Sequence, residues 1–216
     1  MRYSLVIFDL DGTILDTLAD LTAAGNYALT SCGMPERTVD EVRQFVGNGI
    51  RRYLQRAVPA GTTEADIDRV HAAFTAYYAE HYADQTAAYP GIIELLQRLK
   101  DAGIRTAVVS NKPDYGVQAL CAQYFPGLFD AAAGEKEGVR RKPAPDAVEA
   151  VLAALQIPRE EAVYIGDSDV DIETARNAGM DCISVSYGFR SEAFLREHGA
   201  SVIAEDAAQL AAMLLG

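Results

Sequence analysis

Two stretches place acids directly after apolar runs. Val6-Ile7-Phe8-Asp9-Leu10-Asp11-Gly12-Thr13 ends an apolar run in two aspartates and a glycine, and Tyr164-Ile165-Gly166-Asp167-Ser168-Asp169-Val170-Asp171 does so again with three aspartates. Carboxylates crowded at the end of a buried strand repel one another and lose hydration. A hard divalent cation, which prefers oxygen ligands, relieves both penalties. In an extended segment side chains two apart share a face, so Asp9 and Asp11 point one way and Leu10 points oppositely, into packing. Asp167, just after Gly166, reads as a metal ligand. Asp171, four residues on at a helix start, reads as its support, and Asp169 as solvated. Asp16 reads as the N-cap of the helix that follows.

Three further stretches could act on an anion. Val108-Val109-Ser110-Asn111-Lys112-Pro113-Asp114 ends a strand in a hydroxyl, and a hydroxyl with backbone N–H groups at a strand end can bind phosphate oxygens. Lys142, in Arg140-Arg141-Lys142-Pro143-Ala144-Pro145-Asp146, offers a point charge suited to a phosphoryl group or an ionised aspartate, on a loop stiffened by two prolines. Gly47-Asn48-Gly49-Ile50-Arg51 reads as a tight loop opening a helix, where glycines allow close backbone approach and the dipole end suits a small anion. The same glycines could equally do no more than join two helices.

These residues need a scaffold that brings strand ends together. Apolar runs read as buried strands at Ser4 to Phe8, Thr106 to Val109, Ala162 to Ile165, Cys182 to Ser186 and Ser201 to Ala204. Between them, Ile92, Leu95, Leu96 and Leu99 repeat at helical spacing before Gly103, Val148, Val151, Leu152 and Leu155 do so after Pro145, and Asp169 to Ala178 reads as a helix stopped by Gly179. Strands alternating with helices predict an α/β fold with a parallel sheet covered on both faces. In such sheets ligands sit beyond the carboxyl ends of the strands, where Asp9 and Asp167 fall. From about Asp16 to about Tyr89 the pattern is helical without a convincing strand. Leu18, Leu21, Gly25, Ala28 and Leu29 mark one face, Thr38 and Glu41 have capping-box spacing, and Ile67, Val70, Phe74, Tyr77 and Tyr78 mark a longer helix. The expected domains are 1–15 with 86–216, and an inserted helical domain at 16–85.

The whole chain has 216 residues, is 50% hydrophobic and carries a formal net charge of -12. That suffices for a core plus a small accessory domain, and the acidity argues against nucleic-acid or anionic-membrane partners. Cys32, Cys121 and Cys182 are odd in number with no CxxC spacing, so neither a disulfide framework nor a zinc site is expected. No segment looks long and apolar enough to span a membrane, and a cytoplasmic location is expected. His71, His81 and His198 read as packing or surface residues.

Asp-x-Asp-Gly-Thr, a strand-terminal Ser, a loop Lys and Gly-Asp-x-x-x-Asp, in that order over nearly the whole chain, resemble the haloacid dehalogenase superfamily. The resemblance implies a Rossmann-like core with a cap domain inserted after the first strand. A second aspartate two residues after the first is similar to the superfamily's phosphotransferases rather than its dehalogenases. "FVGNGI", "SNKPD", "KPAPD" and "VSYGF" resemble its phosphoglycolate-hydrolysing phosphatases. Ser110 stands where many relatives have Thr, which keeps the hydroxyl. By this likeness Asp9 is the nucleophile and forms an aspartyl phosphate. Asp11 protonates the leaving oxygen and then takes a proton from water. Mg²⁺ is held by Asp9, the Asp11 backbone carbonyl and Asp167, with Asp171 behind them. Gly12, Thr13, Ser110 and Asn111 face the phosphate, and Lys142 offsets negative charge. Three carboxylates against Mg²⁺ and Lys142 leave no net charge if Asp11 is protonated, so a phosphate dianion enters a neutral site. The implied partner is a small phosphorylated metabolite, and the chain a monomer or small homo-oligomer. A pyrophosphatase, a sugar-phosphate phosphatase or a phosphomutase of the same superfamily shares most of these features. A non-catalytic binding module would lack one of the carboxylates, and none is missing.

Overall fold

β1 (Leu5–Phe8) is four apolar residues, all fully buried, the composition of a strand covered on both faces. In the computed structural model, which describes residues 2–216, it lies inside a six-stranded parallel sheet. The chain continues through β2 (Leu15–Asp16) into α1 (Leu18–Ser31), α2 (Val39–Phe45), α3 (Ile50–Ala57) and α4 (Glu64–His81), and returns through β3 (Ala87–Ala88). It then alternates through α5 (Ile92–Asp101), β4 (Arg105–Pro113), α6 (Asp114–Tyr124), β5 (Ala131–Glu135), α7 (Asp146–Leu155), β6 (Ala162–Gly166), α8 (Asp169–Ala178), β7 (Asp181–Val185), α9 (Glu192–Glu197), β8 (Ile203–Ala204) and α10 (Ala207–Leu215). The strand order is β5-β4-β1-β6-β7-β8, with Phe8 in register with Val108 on one side and Ile165 on the other. The residues just past these positions, Asp9, Ser110 and Asp167, therefore emerge together at one end of the sheet.

On one face, Leu5 and Ile7 pack with Ala107, Val109, Tyr164 and the apolar stripes of α7 and α8. Asp9 continues the alternation of Leu5 and Ile7 and so leans toward those two helices. The chain divides into two compact units, one of residues up to Leu15 with Ala88–Gly216, the other Asp16–Ala87. Within the second unit Gly25 is required, since an added Cβ would fall 1.8 Å from the Tyr53 hydroxyl. Thr38 and Glu41 form the expected capping box. Tyr77 departs from the predicted buried face: it is half-buried and stacks on Tyr27 with ring centroids 4.2 Å apart.

Four strand expectations need correction. β5 escaped notice because Ala131-Ala132-Ala133-Gly134-Glu135 has no branched or aromatic side chain; it is an edge strand paired only with β4. β2 and β3, two residues each, pair with each other at the ends of the segment read as strand-free. β8 is shorter than Ser201 to Ala204. β4 does not stop near Ser110 but runs to Pro113, its pairing with β5 irregular between Val109 and Pro113. The helix cap at Asp16 also shifts. Thr17 is the N-cap position, and Asp16 instead accepts from the Leu18 N–H at 3.2 Å. The three cysteines are free, and burial pushes the Cys121 and Cys182 thiols up to about 12.

Candidate active site

The end of β1 is held before any ligand arrives. Asp9 N–H donates to the Ile165 carbonyl at 2.8 Å, and Leu10 N–H donates to Asp9 Oδ1 at 2.7 Å. Gly12 has φ of +84°, and an added Cβ would lie 2.4 Å from Asp167 Oδ2, so only glycine lets this turn pass so near the second strand end. Thr13, fully buried, donates its hydroxyl to Asp167 Oδ1 at 3.3 Å.

Carboxylate oxygens of Asp9, Asp167 and Asp171 lie within 4.8 Å of one another. One ammonium serves two of them: Lys142 Nζ is 2.9 Å from Asp9 Oδ1 and 2.8 Å from Asp171 Oδ1. It also donates to the Tyr164 hydroxyl at 3.0 Å, which passes its own hydrogen to the Val109 carbonyl. Asp171 closes the start of α8 as well, accepting the Ser168 N–H and hydroxyl on Oδ2. Burial pushes the Asp9 carboxyl up to about 7; Lys142 opposes that rise, and Asp171 and Asp11 add to it. Asp167 is raised by burial and then by the charges of Asp171 and Asp9, against the Phe189 N–H that donates to its Oδ2 at 2.6 Å. Burial alone would depress the Lys142 ammonium, but Asp171, Asp9 and Tyr164 outweigh it and hold it well above its usual range. Three buried carboxylates of hard oxygen donors, two of them reluctant to ionise, are a donor set that fits a divalent cation.

Ser110 and Asn111 are buried on the extension of β4, and the Asn111 side-chain amide donates to the Lys142 carbonyl at 3.1 Å. The carboxylate of Asp11 is not part of the acidic cluster. It meets Lys112 instead, Nζ to Oδ1 at 2.9 Å. Sequence spacing alone gives Lys112 no role, although it stands two residues after Ser110. Its ammonium adds a second positive charge to that of Lys142. Tyr164, read only as a strand residue, and Gly188 were also missed. An added Cβ at Gly188 would fall 2.2 Å from the Gly12 carbonyl and 2.5 Å from Asp167 Cβ, which explains the glycine in the "VSYGF" stretch.

Gly47, Asn48, Gly49 and Arg51 lie in the other unit. Gly49, at φ of +83°, is the N-cap position of α3. Arg51 is engaged by Asp68 at 2.6 Å and Glu64 at 2.7 Å, and Asn48 Oδ1 accepts from Arg56 at 2.8 Å. The two side chains among these four residues, Asn48 and Arg51, thus already have partners inside their own unit. Among the described residues no helix is long and apolar enough to cross a membrane.

Comparison with known proteins gives a consistent result. Residues 6–185 match the haloacid dehalogenase-like hydrolases. Phosphoglycolate phosphatase 1 of Pseudomonas aeruginosa is 35% identical over 209 residues, 94% of this chain and 76% of the relative. Phosphoglycolate phosphatase of Psychrobacter arcticus is 34% identical over 100% of this chain and 97% of its own. A crystal structure from Lactobacillus delbrueckii subsp. bulgaricus, whose own designation as a phosphoglycolate phosphatase is provisional, is 44% identical, with a TM-score of 0.96 and full coverage of both chains. CbbY from Rhodobacter sphaeroides, solved in complex with phosphate, is 30% identical with a TM-score of 0.73 over 96% of each chain.

Proposed function

The chain belongs to the haloacid dehalogenase-like hydrolases, and from that premise we propose that it is a Mg²⁺-dependent phosphatase of a small phosphomonoester, 2-phosphoglycolate first among them. The observation that carries the reading is the buried cluster of the Asp9, Asp167 and Asp171 carboxylates, with one buried lysine bridging Asp9 and Asp171. The substrate class is supported by the relatives named for phosphoglycolate.

Asp9 Oδ1 already accepts from Lys142 and the Leu10 N–H, so Oδ2 forms the bond to phosphorus. As that bond forms, the ester P–O bond breaks, and Asp11 gives a proton to the departing oxygen. Water then attacks the aspartyl phosphate, its proton returns to Asp11, and Asp9 is released with inorganic phosphate. Ser110 and Asn111 orient the transferring oxygens, and Lys142 offsets charge on Asp9 and the phosphoryl group. Gly12 and Thr13 keep the turn beside Asp167. Asp9, Asp167 and the Asp11 carbonyl would hold Mg²⁺, with Asp171 behind them. Bound there, the cation supplies positive charge against the carboxylates and the incoming dianion. The inserted helical domain expected at 16–85 would serve as the cap, and the Gly47–Gly49 backbone is the candidate for a substrate's second anion.

The decisive experiment measures phosphate release from phosphoglycolate, pyrophosphate, hexose phosphates and nucleotides, with and without Mg²⁺. Phosphoglycolate should rank first by kcat/KM. Preference for pyrophosphate or a hexose phosphate would reassign the substrate, and no release from any ester would remove the enzymatic reading.

A further inference from the structure

Lys112 stands where a lysine is costly. Its side chain is 2% exposed, and stripping an ammonium of water is unfavourable unless a carboxylate in good geometry offsets it. The stem lies against α6. It runs past Gly116 of α6, where an added Cβ would lie 3.6 Å from Lys112 Cδ, and the Lys112 backbone N–H donates to Ser110 Oγ at 3.2 Å. The ammonium ends 2.9 Å from Asp11 Oδ1. Asp11 is the more open partner, 21% exposed, as a group that must meet a substrate has to be.

We infer that Lys112 is a positioning residue for the leaving-group proton: by donating to Oδ1 of Asp11 it fixes the carboxyl group and assigns the transferable proton to Oδ2, a role that rests on the phosphatase reading above. A neutral carboxyl keeps an acceptor oxygen beside its O–H. As the ester P–O bond breaks, the proton on Oδ2 passes to the departing oxygen. The proton from the later attacking water comes back to Oδ2. Lys112 keeps its own protons throughout. The competing role for such an ammonium, beside Ser110, is direct contact with the phosphoryl oxygens.

Leaving-group dependence separates the two roles. The ratio kcat/KM reports every step through departure of the leaving group. p-Nitrophenolate departs without a proton, whereas an alkoxide needs one. Lys112→Gln should lower kcat/KM on phosphoglycolate by roughly ten- to a hundredfold and on p-nitrophenyl phosphate by less than about threefold. Added to Asp11→Asn, the same substitution should cause no further loss on phosphoglycolate. Lys112→Arg keeps a donor and should retain more of the alkyl-ester rate than Lys112→Gln. It also carries the ester comparison if Lys112→Gln does not fold. Equal losses on both esters would overturn the assignment, as would a phosphoglycolate loss that persists undiminished in the Asp11→Asn background. If wild-type enzyme with Mg²⁺ hydrolyses neither ester, the phosphatase reading itself falls and the assignment falls with it; if wild type is active on both, only the variants decide.

Discussion

Lys142 Nζ lies 2.8 Å from Asp171 Oδ1, and the two side chains are 2% and 0% exposed. The pair is a structural brace before it is anything else, because Asp171 also caps α8 and Lys142 also reaches Asp9 and Tyr164. Breaking a buried ion pair from one side strands the other charge. Lys142→Met should therefore destabilise the metal-free protein by roughly 3–5 kcal/mol, read from urea midpoints at constant m. It should also cut kcat, since Asp9 loses its counter-charge. A loss below about 1 kcal/mol would mean that Lys142 does not brace these carboxylates.

Asp9→Asn keeps the side chain's shape and removes its charge. Turnover should drop by at least a thousandfold, on the order of 4 kcal/mol of barrier. Acid-quenched Asp9→Asn protein should hold no phosphate transferred from labelled substrate, while wild type should. A variant with a tenth of normal activity would rule out Asp9 as the nucleophile.

The raised carboxyls of Asp9 and Asp167 tie stability to pH. Asp9, at about 7 when folded against 3.8 as its ordinary value, holds a proton in the folded chain that the unfolded chain has already lost between those limits. Asp167 shifts in the same direction. The metal-free protein should therefore lose stability as pH rises from about 4 to about 7 through Asp9, with Asp167 adding to the loss in the same direction. Mg²⁺ favours the ionised carboxylates, so its stabilisation should grow over the same range. Thermal melts in chelator and in Mg²⁺ from pH 5 to 8 should diverge as pH increases. Melting curves separated by a constant amount at every pH would show that the cation does not bind these two groups.

The two strand ends were readable because their chemistry is written in contiguous residues. Asp9 with Asp11, and Gly166 with Asp167 and Asp171, each follow a run of apolar residues that only a covered strand uses. β5 was not readable. Its alanines have little strand preference, and it forms because β4 offers it an unsatisfied edge. Lys112 was passed over for a related reason. Its spacing from Ser110 was visible, but the partner that gives it meaning, Asp11, lies 101 residues away in the chain. Arg51 shows the opposite case: its position at a helix start suggested an anion, and Glu64 and Asp68, neither of them predictable as its neighbours, supply two.

That pairing bears directly on the Gly47–Arg51 loop. Arg51 spends its guanidinium on two carboxylates, both well exposed, and exposed pairs of this kind contribute little to stability. Arg51→Ala should thus leave the melting temperature nearly unchanged. If the guanidinium is committed to Glu64 and Asp68, kcat/KM should also stay within about threefold on both phosphoglycolate and p-nitrophenyl phosphate. Gly49 differs, because its φ of +83° is one that a Cβ disfavours. Gly49→Ala should reorient the backbone N–H groups that open α3. Should those groups bind the carboxylate of phosphoglycolate, the loss in kcat/KM will be roughly ten- to a hundredfold larger on phosphoglycolate than on p-nitrophenyl phosphate, which has no carboxylate. Equal losses would mean that the loop matters only for folding. A selective loss in Arg51→Ala instead would mean that the arginine leaves Glu64 and Asp68 for the substrate, and the anion contact would move from the backbone to the side chain.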